Sequence, residues 1–463
     1  YAIDQDLTML DYGFFNKDNT ELTNFMFGFG PGVGLNNNDN RDVLGENVNI
    51  EIARVKAANQ IRNIDIKIKK IESLEDTDDI AYINLTIPNI QENNSTINDL
   101  NRLDLQIAEL QSKYTDKFPE IERLYEKRKI KPAIRFFCTA TAENYHNSEA
   151  QVNLAYSLLL KKYFRLGWEK HEYRWRVDPL KKVLRPFQNR ELWAGQKDKK
   201  IVLWREQGIG DDIIFLSLVP EAFKSARTLS VYIDPRLIPL CERSMPDIKF
   251  LPDEKALKKE IFDYHLPMGS LPRLFRNSEK DFERVIRGYL KADPKRVELL
   301  RDELGLKGKK VVGISWKSFK ATNKLKKSMA LMDFKKIFEN LDITLVNLQY
   351  GDVDKEIREF KKKTGIEVLQ CGSVDNRDDL DGLAALIEVC DLVVSTSNVT
   401  IHLAGALGKE TWVLLPYVTH FWWLLDRTDS IWYPSLKLYR QKKFGDWEAI
   451  TLSLRQDLVK NFN

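Results

Sequence analysis

The chain has 463 residues and a formal net charge of only +4, because 72 Lys and Arg nearly balance 68 Asp and Glu. This length supplies several hydrophobic cores, and the balanced charge argues against a nucleic-acid partner. No apolar run approaches the roughly 18 residues of a membrane span, and the scattered cysteines, without a CxxC pair, argue against a zinc site or disulfides. We expect a cytoplasmic protein; membrane association through an upstream segment or a partner is the alternative.

The first 130 residues divide into a polar lead-in and two heptad runs. In residues 1–46 the glycines of FGFGPGVGLNNNDNRD are too irregularly spaced for a phosphate loop, so we predict a flexible segment. Residues 47–130 place apolar side chains at heptad spacing on both sides of the polar break TIPNIQENNSTIND. This pattern predicts an antiparallel coiled-coil hairpin, through which the chain could form a homo-oligomer. The heptad positions are Ile50, Ala57, Ile61, Ile64, Ile68, Ile71, Leu100, Leu103, Ile107, Leu110 and Tyr114.

Two helical segments resemble known families. The phrase IAELQSKYTDKFPEIERLYEKR resembles the long-helix region of bacterial polysaccharide chain-length determinants, with Phe118 where that family has a His. In residues 131–195, NSEAQVNLAYSLLLKKYFRLGWEKHEYRWR places small and large apolar residues as a last tetratricopeptide-type repeat does, ending in Gly167-Trp168. Because a repeat needs a neighbour to bury its face, we expect these helices to cap the domain that follows.

From residue 196 onward, apolar strands alternate with helical segments. This rhythm predicts parallel sheets covered by helices on both faces. The segment YLKADPKRVELLRDELGLKGKK reads as a helix and hinge, so we predict two doubly wound halves, 196–305 and 306–463. The predicted strands are Ile201–Trp204, Leu229–Ile233, Ile248–Leu251, Tyr264–Leu266, Val311–Ser315, Ile343–Leu348, Glu367–Leu369, Leu392–Ser395, Trp412–Leu415 and Leu436–Tyr439.

A glycine turn with two acids follows the first strand of the first half. In EQGIGDD, Gly208 and Gly210 precede Asp211 and Asp212. Asp212 suits the cap or first turn of a helix that we expect to begin near it. A single acid satisfies that need, so we predict that Asp211 points into a cleft as a candidate catalytic group.

In the second half, the residues that follow two further predicted strands are of types that bind anions. STSNVTIHLAGALGK places Ser395, Ser397, Asn398 and Thr400 at a helix start, where free N–H groups bind anions, with His402 in the first turn. In VGISWKSFKATNKLKKSM, a predicted strand is followed by a basic loop. Its lysines could neutralise a diphosphate, and Lys317 and Lys324 are the candidate residues. Gln349, after another strand, is a candidate nucleoside contact, although packing explains it equally well.

These phrases, taken in order, resemble one family. The phrases resemble the glycosyltransferase domain of bacterial tetratricopeptide proteins over residues 150–460. They are EQGIGD, YIDPRLIPL, LPMGSLPRLF, YLKADPKRV, VGISWKS, LVNLQYGD, DLDGLAALIEVCDLVVSTS, HLAGALGKETWVLLP and FWWLLDRTDSIWYPSLKLYRQ. That domain is similar to ADP-heptose heptosyltransferases and, more distantly, to O-GlcNAc transferase. The resemblance implies a GT-B fold, in which residues 196–305 hold the acceptor and residues 306–463 hold a nucleotide-sugar donor.

The resemblance also implies a mechanism. Asp211 matches the position of the family's catalytic base, which takes a proton from the acceptor hydroxyl as it attacks the anomeric carbon. The helix start and the lysines would stabilise the leaving diphosphate, with inversion and with no metal or other cofactor. The acceptor would be a polysaccharide or a protein.

Two features depart from the family pattern. Ser397-Asn398 replace the family's usual Asp-Thr, and the first half is short, so the helices before it could complete the acceptor site. Both features keep open an alternative function: a non-catalytic scaffold that carries a degenerate transferase domain.

Overall fold

The computed structural model describes residues 130–143, 147–177, 190–318, 328–417, 419–443 and 445–462. The predicted lead-in, all of the predicted hairpin but Ile130, and the candidate Lys324 lie outside these residues. Every described residue belongs to one unit, Phe118–Asn463.

A helical layer precedes the first strand. Its elements are α1 (Ile130–Glu143), α2 (Ser148–Leu160), α3 (Phe164–His171) and a 3₁₀ turn at Glu172–Arg176. The Asn147 side chain caps α2 by accepting from the N–H of Ala150, which satisfies one of the orphan donors of the first turn. Trp168 is buried, and its indole N–H donates to the carbonyl of Arg276 over 2.8 Å. The layer therefore packs on the first half, while its identity as a tetratricopeptide repeat remains a prediction.

The first half is a four-stranded parallel sheet in the order β3-β2-β1-β4. All four strands were predicted, and this order is half of the doubly wound arrangement that binds nucleotides. The strands are β1 (Lys199–Trp204), β2 (Ala226–Tyr232), β3 (Lys249–Leu251) and β4 (Tyr264–Pro267). The helices of this half are α4 (Ile209–Leu216), α5 (Val219–Ser225), α6 (Ile238–Ser244), α7 (Glu254–Lys259) and α8 (Leu271–Phe275).

The second half is a six-stranded parallel sheet in the order β10-β9-β8-β5-β6-β7. Read from its other edge, this is the complete doubly wound order 3-2-1-4-5-6. The strands are β5 (Val311–Ser315), β6 (Thr344–Asn347), β7 (Val368–Leu369), β8 (Leu392–Thr396), β9 (Thr411–Leu415) and β10 (Leu436–Arg440). The helices are α9 (Pro294–Glu303) on the hinge segment, α10 (Lys335–Phe338), α11 (Asp354–Thr364), α12 (Leu380–Val389), α13 (Val399–Leu407) and α14 (Glu448–Phe462).

Burial explains why these segments form parallel sheets. Every residue of β5, β8 and β9 is buried, as expected of strands covered by helices on both faces. The predicted fold class, a pair of doubly wound parallel sheets, is therefore confirmed. Gly408 ends α13 at a φ of 76°, a left-handed conformation that glycine adopts without steric cost.

In each sheet, the topology creates one point between two neighbouring strands at which a ligand can bind. Successive connections leave in opposite directions between β1 and β4 and between β5 and β8, and ligands of such sheets bind beyond the carboxyl ends of the strands at these points. The Gly208–Asp211 loop follows β1. Lys317 follows β5, and the Ser395–Asn398 stretch spans the end of β8; the two strands are in register at Ser315 and Ser395.

The two halves make direct contact. α4 packs against α13, and α6 approaches α12. Arg243 on α6 pairs with Asp381 on α12 over 2.7 Å, and Arg236 pairs with Asp378 over 3.3 Å. These ion pairs fix the relative position of the two halves beside their packed helices.

Gly167 allows α2 and α3 to approach each other closely. A Cβ at this position would lie 2.6 Å from two side-chain carbons of Leu159 and 3.3 Å from its backbone nitrogen. We therefore expect Gly167→Ala to destabilise the protein by about 1–3 kcal/mol through overpacking. Thermal unfolding measures this effect. Gly372→Ala is the matched control because no atom lies within 4 Å of its added Cβ; an equal loss in both variants would contradict the packing argument.

Candidate functional site

Asp211 lies in the first turn of α4, in a different local role from the one predicted. The helix begins at Ile209, earlier than the predicted start near Asp212, with Gly208 as its N-cap. The Oδ2 of Asp211 accepts the N–H of Gly208 over 3.2 Å. Asp212 lies in the first turn, one of the two positions predicted for it, while the N-cap is Gly208 because the helix starts earlier. The side chain that bonds back to the N-cap is that of Asp211. Asp211 remains partly exposed.

Asp212 is instead buried in an ionic cluster. Its Oδ2 lies 3.0 Å from the Nε of Arg205 in ion-pair contact but without hydrogen-bond geometry. Arg205 also pairs with Asp234 over 3.0 Å. Burial raises the pKa of Asp212 to about 8, Arg205 opposes the shift, and the nearby carboxylates of Asp211, Asp234 and Glu206 add to it. A buried carboxyl among like charges favours its neutral form.

Glu206 connects the helical layer to the carboxyl end of β1. Both oxygens of its buried carboxylate contact Arg174, with the shortest pair at 2.8 Å, and Arg174 also donates to Ser270 over 2.9 Å. Arg174 belongs to the 3₁₀ turn after α3, and Ser270 follows β4. This charge-assisted pair locks the helical layer to the carboxyl ends of β1 and β4, which agrees with the expected capping role of those helices.

The start of α13 is organised by Asn398. Its Oδ1 accepts the N–H of Thr400 over 3.0 Å, and its Nδ2 donates to the Ser315 hydroxyl over 2.7 Å. One amide thus caps the helix and ties β8 to β5. The Ser395 and Thr400 side chains are fully buried and bond internally, to the carbonyls of Thr396 and Leu348. These predicted donor-site residues therefore contribute their backbone, and not their side chains, to the surface at the start of α13.

Gln349 and Lys317 meet at the end of β5. The Gln349 Oε1 accepts from the Ser315 hydroxyl and from the N–H groups of Trp316 and Lys317 at 2.8–3.0 Å. With only 1% of its surface exposed, Gln349 positions the β5 end. The Lys317 ammonium pairs with Glu356 over 2.6 Å, so its charge already has a carboxylate partner in this structure.

His402 stands at the junction of the two halves. Its ring stacks on Trp423 at a centroid distance of 5.4 Å, and the Trp423 indole N–H donates to the Ser397 hydroxyl over 3.0 Å. A Cβ built on Gly210 would lie 3.2 Å from the His402 Cδ2 and 3.6 Å from its Nε2. The structure therefore brings together three predicted features: the acid loop, His402 and Ser397, the last two linked through Trp423.

A cavity of about 690 Å³ opens in the second half. It lies beyond the carboxyl ends of β6 and β7 and is lined by Gln349, Gly351, the 370–374 loop, Asn376 and Asp378 among others. The side-chain amide of Asn376 donates hydrogen bonds to the carbonyls of Asn347 and Gln349. A cavity of this size matches a small-molecule site.

The sequence did not single out several residues of this junction. Arg205 and Glu206 had one usable signal, because they directly follow a predicted strand, whereas Arg174 had none. Within the described ranges, no group of three His, Cys, Asp or Glu side chains could hold a metal ion, and no helix there is long and apolar enough to span a membrane.

One curated protein resembles a large part of the chain. Protein FlbA of Caulobacter vibrioides is 31% identical over 303 residues, which cover 61% of this chain and 50% of the relative. The match therefore spans about half of the relative's length. No protein-family profile matches the chain.

Solved structures of low similarity include glycosyltransferases. E. coli ADP-heptose LPS heptosyltransferase II is 12% identical with a TM-score of 0.40, covering 56% of this chain and 99% of its own. A family 9 glycosyl transferase from Veillonella parvula is 11% identical with a TM-score of 0.42, covering 57% and 96%.

Asp212 gives a test of the buried ionic cluster. The folded state keeps this proton up to about pH 8, whereas an unfolded aspartic acid loses it near pH 4. The folded state thus binds more protons in this window, so the contribution of Asp212 to stability falls as the pH rises from about 4 to 8 and is level above.

We expect wild-type stability, relative to that of Asp212→Asn, to decline across that pH window. Melting temperatures at several pH values measure this difference. The exposed Asp342, replaced by Asn, is the control and should show no such trend. A wild-type advantage that grows with pH would contradict the raised pKa.

Proposed function

We propose that the chain is a glycosyltransferase of GT-B type that moves a sugar from a nucleotide donor to a glycan or protein acceptor, with inversion and without a metal. The observation that carries this proposal is the approach of Gly210, one residue before Asp211, to His402 at the start of α13. An acid from one nucleotide-binding-type sheet thus stands beside a helix start of the other.

Asp211 would act as the general base. A carboxylate offers about four acceptor positions, so its bond to the N–H of Gly208 leaves capacity for an acceptor hydroxyl. That bond also fixes the orientation of the carboxylate. Proton transfer to a positioned base makes the hydroxyl oxygen a stronger nucleophile toward the anomeric carbon.

The donor would lie across the ends of β5, β6 and β8. The first turn of α13 leaves backbone N–H groups without helical partners, and such helix starts stabilise diphosphates. The cavity beside Gln349 is large enough for a nucleoside. Gln349 would hold the β5 end in place, and Lys317 would exchange Glu356 for a phosphate.

A non-catalytic binding function is the second candidate, and two observations favour it. Asp211 is engaged as a helix-capping acid, and Lys317 is neutralised by Glu356. In this function the same cavity would bind a nucleotide without turnover. Homo-oligomer formation through residues 47–130 and a cytoplasmic location remain predictions that accompany both candidates.

Asp211→Asn tests the catalytic assignment. The amide oxygen can still accept from Gly208, so the helix start should be preserved while the base is lost. We expect donor hydrolysis or transfer, measured with a panel of nucleotide sugars, to fall at least about 100-fold. Asp342→Asn is the control. Equal rates in wild type and Asp211→Asn would reject the base, and nucleotide binding without wild-type turnover would favour the binding function.

Lys317→Met tests the proposed diphosphate-binding site. Removing a cation from a charge-assisted contact costs about 1.5–3 kcal/mol, so we expect nucleoside diphosphate affinity to fall at least about tenfold. Titration calorimetry with a panel of nucleoside diphosphates measures this change. Lys355→Met, which removes an exposed charge on α11, is the matched control; identical affinities in the two variants would place the phosphate elsewhere.

A further inference from the structure

Residues 370–378 form one wall of the cavity in the second half, and we call them the cavity loop. They lie between β7 and α12. Inside this half, Asn376 anchors the loop, because its amide donates to the carbonyls of Asn347 and Gln349 over 3.1 and 3.3 Å. Two further anchors come from outside the sheet of this half.

These two anchors are the hinge helix α9 and an arginine of the first half. The Ser373 hydroxyl donates to the carboxylate of Glu303, the last residue of α9, over 2.6 Å. Arg236 lies in the turn that follows β2. Its Nη1 donates to the carbonyl of Arg377 over 3.0 Å and lies 3.3 Å from the carboxylate of Asp378. The first half therefore holds part of the wall of a cavity that belongs to the second half.

The guanidinium of Arg236 is fixed before it reaches the cavity loop. Asp234, which is only 5% exposed, accepts the Nε and Nη2 of Arg236 over 2.9 and 3.0 Å and its backbone N–H over 3.1 Å. Because a guanidinium is planar and rigid, this two-point contact also sets the position of Nη1. Asp234 pairs in turn with Arg205, whose other partner is Asp212 in the first turn of α4. An ionic chain thus runs from the start of α4 to the cavity loop.

We infer that Arg236 is a positioning residue for nucleotide binding, through which the first half completes the cavity of the second. Resting on the proposed function, the nucleoside of the donor would fill this cavity. Arg236 would hold the wall in place only while the two halves keep the arrangement seen here. Nucleotide binding would then favour that arrangement, since a ligand stabilises the conformation to which it binds better. The same arrangement holds Asp211 beside the start of α13.

The bond to the Arg377 carbonyl carries more of this effect than the ion pair with Asp378. The Asp378 side chain is 67% exposed, and exposed ion pairs contribute little. The Arg377 carbonyl meets a guanidinium that Asp234 has already ordered, so their bond forms with little further loss of side-chain entropy. The expected effect of losing Arg236 is therefore about three- to tenfold in affinity, as for one net hydrogen bond.

Arg236→Gln tests this inference against a matched variant at the second ion pair between the halves. Arg243→Gln also removes a guanidinium that joins the halves, but its partner Asp381 does not line the cavity. We expect the Kd of nucleoside diphosphates, measured by titration calorimetry with a panel of them, to rise about three- to tenfold in Arg236→Gln. In Arg243→Gln it should stay within about twofold of wild type. Equal Kd values in the two variants would overturn the inference.

Hydrogen–deuterium exchange measures the wall itself and needs no ligand. The N–H groups of Arg377 and Asp378 donate to the Asp375 carboxylate over 2.8 and 3.1 Å, and the N–H of Asp378 shares a peptide group with the carbonyl that Arg236 holds. We expect their exchange to be at least about threefold faster in Arg236→Gln and unchanged in Arg243→Gln. Unchanged exchange in Arg236→Gln would contradict the positioning role.

Arg236→Lys gives a second route should Arg236→Gln fail to fold. It keeps a charge beside Asp234, but one ammonium cannot reproduce the fork that bonds Asp234 and the Arg377 carbonyl together. We expect the same rise in Kd and in exchange, and wild-type values for both would overturn the inference. A wild type that binds no nucleoside diphosphate would reject the donor site and this inference with it, whereas binding with equal Kd values in Arg236→Gln and Arg243→Gln would reject the inference alone.

Discussion

The packing of α4 on α13 is the contact on which the rest of the site depends. Each helix begins at the carboxyl end of a central strand, β1 in one half and β8 in the other, so their meeting brings two ligand-binding edges together. Gly210 permits the approach because it has no side chain to displace His402. The ion pairs of Arg243 with Asp381 and of Arg236 with Asp378 join the two halves beside these helices.

The two edges differ in electrostatic character. The β1 edge gathers the carboxyl groups of Glu206, Asp211, Asp212 and Asp234 around the guanidinium groups of Arg174, Arg205 and Arg236. The β8 edge presents uncharged amides, hydroxyls and a helix N-terminus. Under the proposed function, the first edge would serve a hydroxyl that must lose a proton, and the helix N-terminus of the second would take the diphosphate.

The sequence predicted the sheets well because strands buried on both faces are continuous apolar runs between helical segments, and each predicted strand overlaps an observed one. It also located the loops after β1, β5 and β8. It placed the start of α4 near Asp212 instead of Ile209, because a glycine N-cap gives a weaker sequence signal than an aspartate, and it did not predict that Asp211 bonds back to Gly208. The contacts of Tyr289 with Ile213 and of Tyr433 with His402 join residues far apart in sequence, and only the fold brings them together.

The central claim is that a nucleotide binds where the two halves meet. A crystal structure of the protein with a bound nucleoside diphosphate tests it most directly. The account predicts the diphosphate at the first turn of α13, the nucleoside in the cavity beside Gln349, and open space between the phosphates and Asp211. A nucleotide bound on another surface, or Asp211 shielded from the ligand by packed side chains, would contradict it.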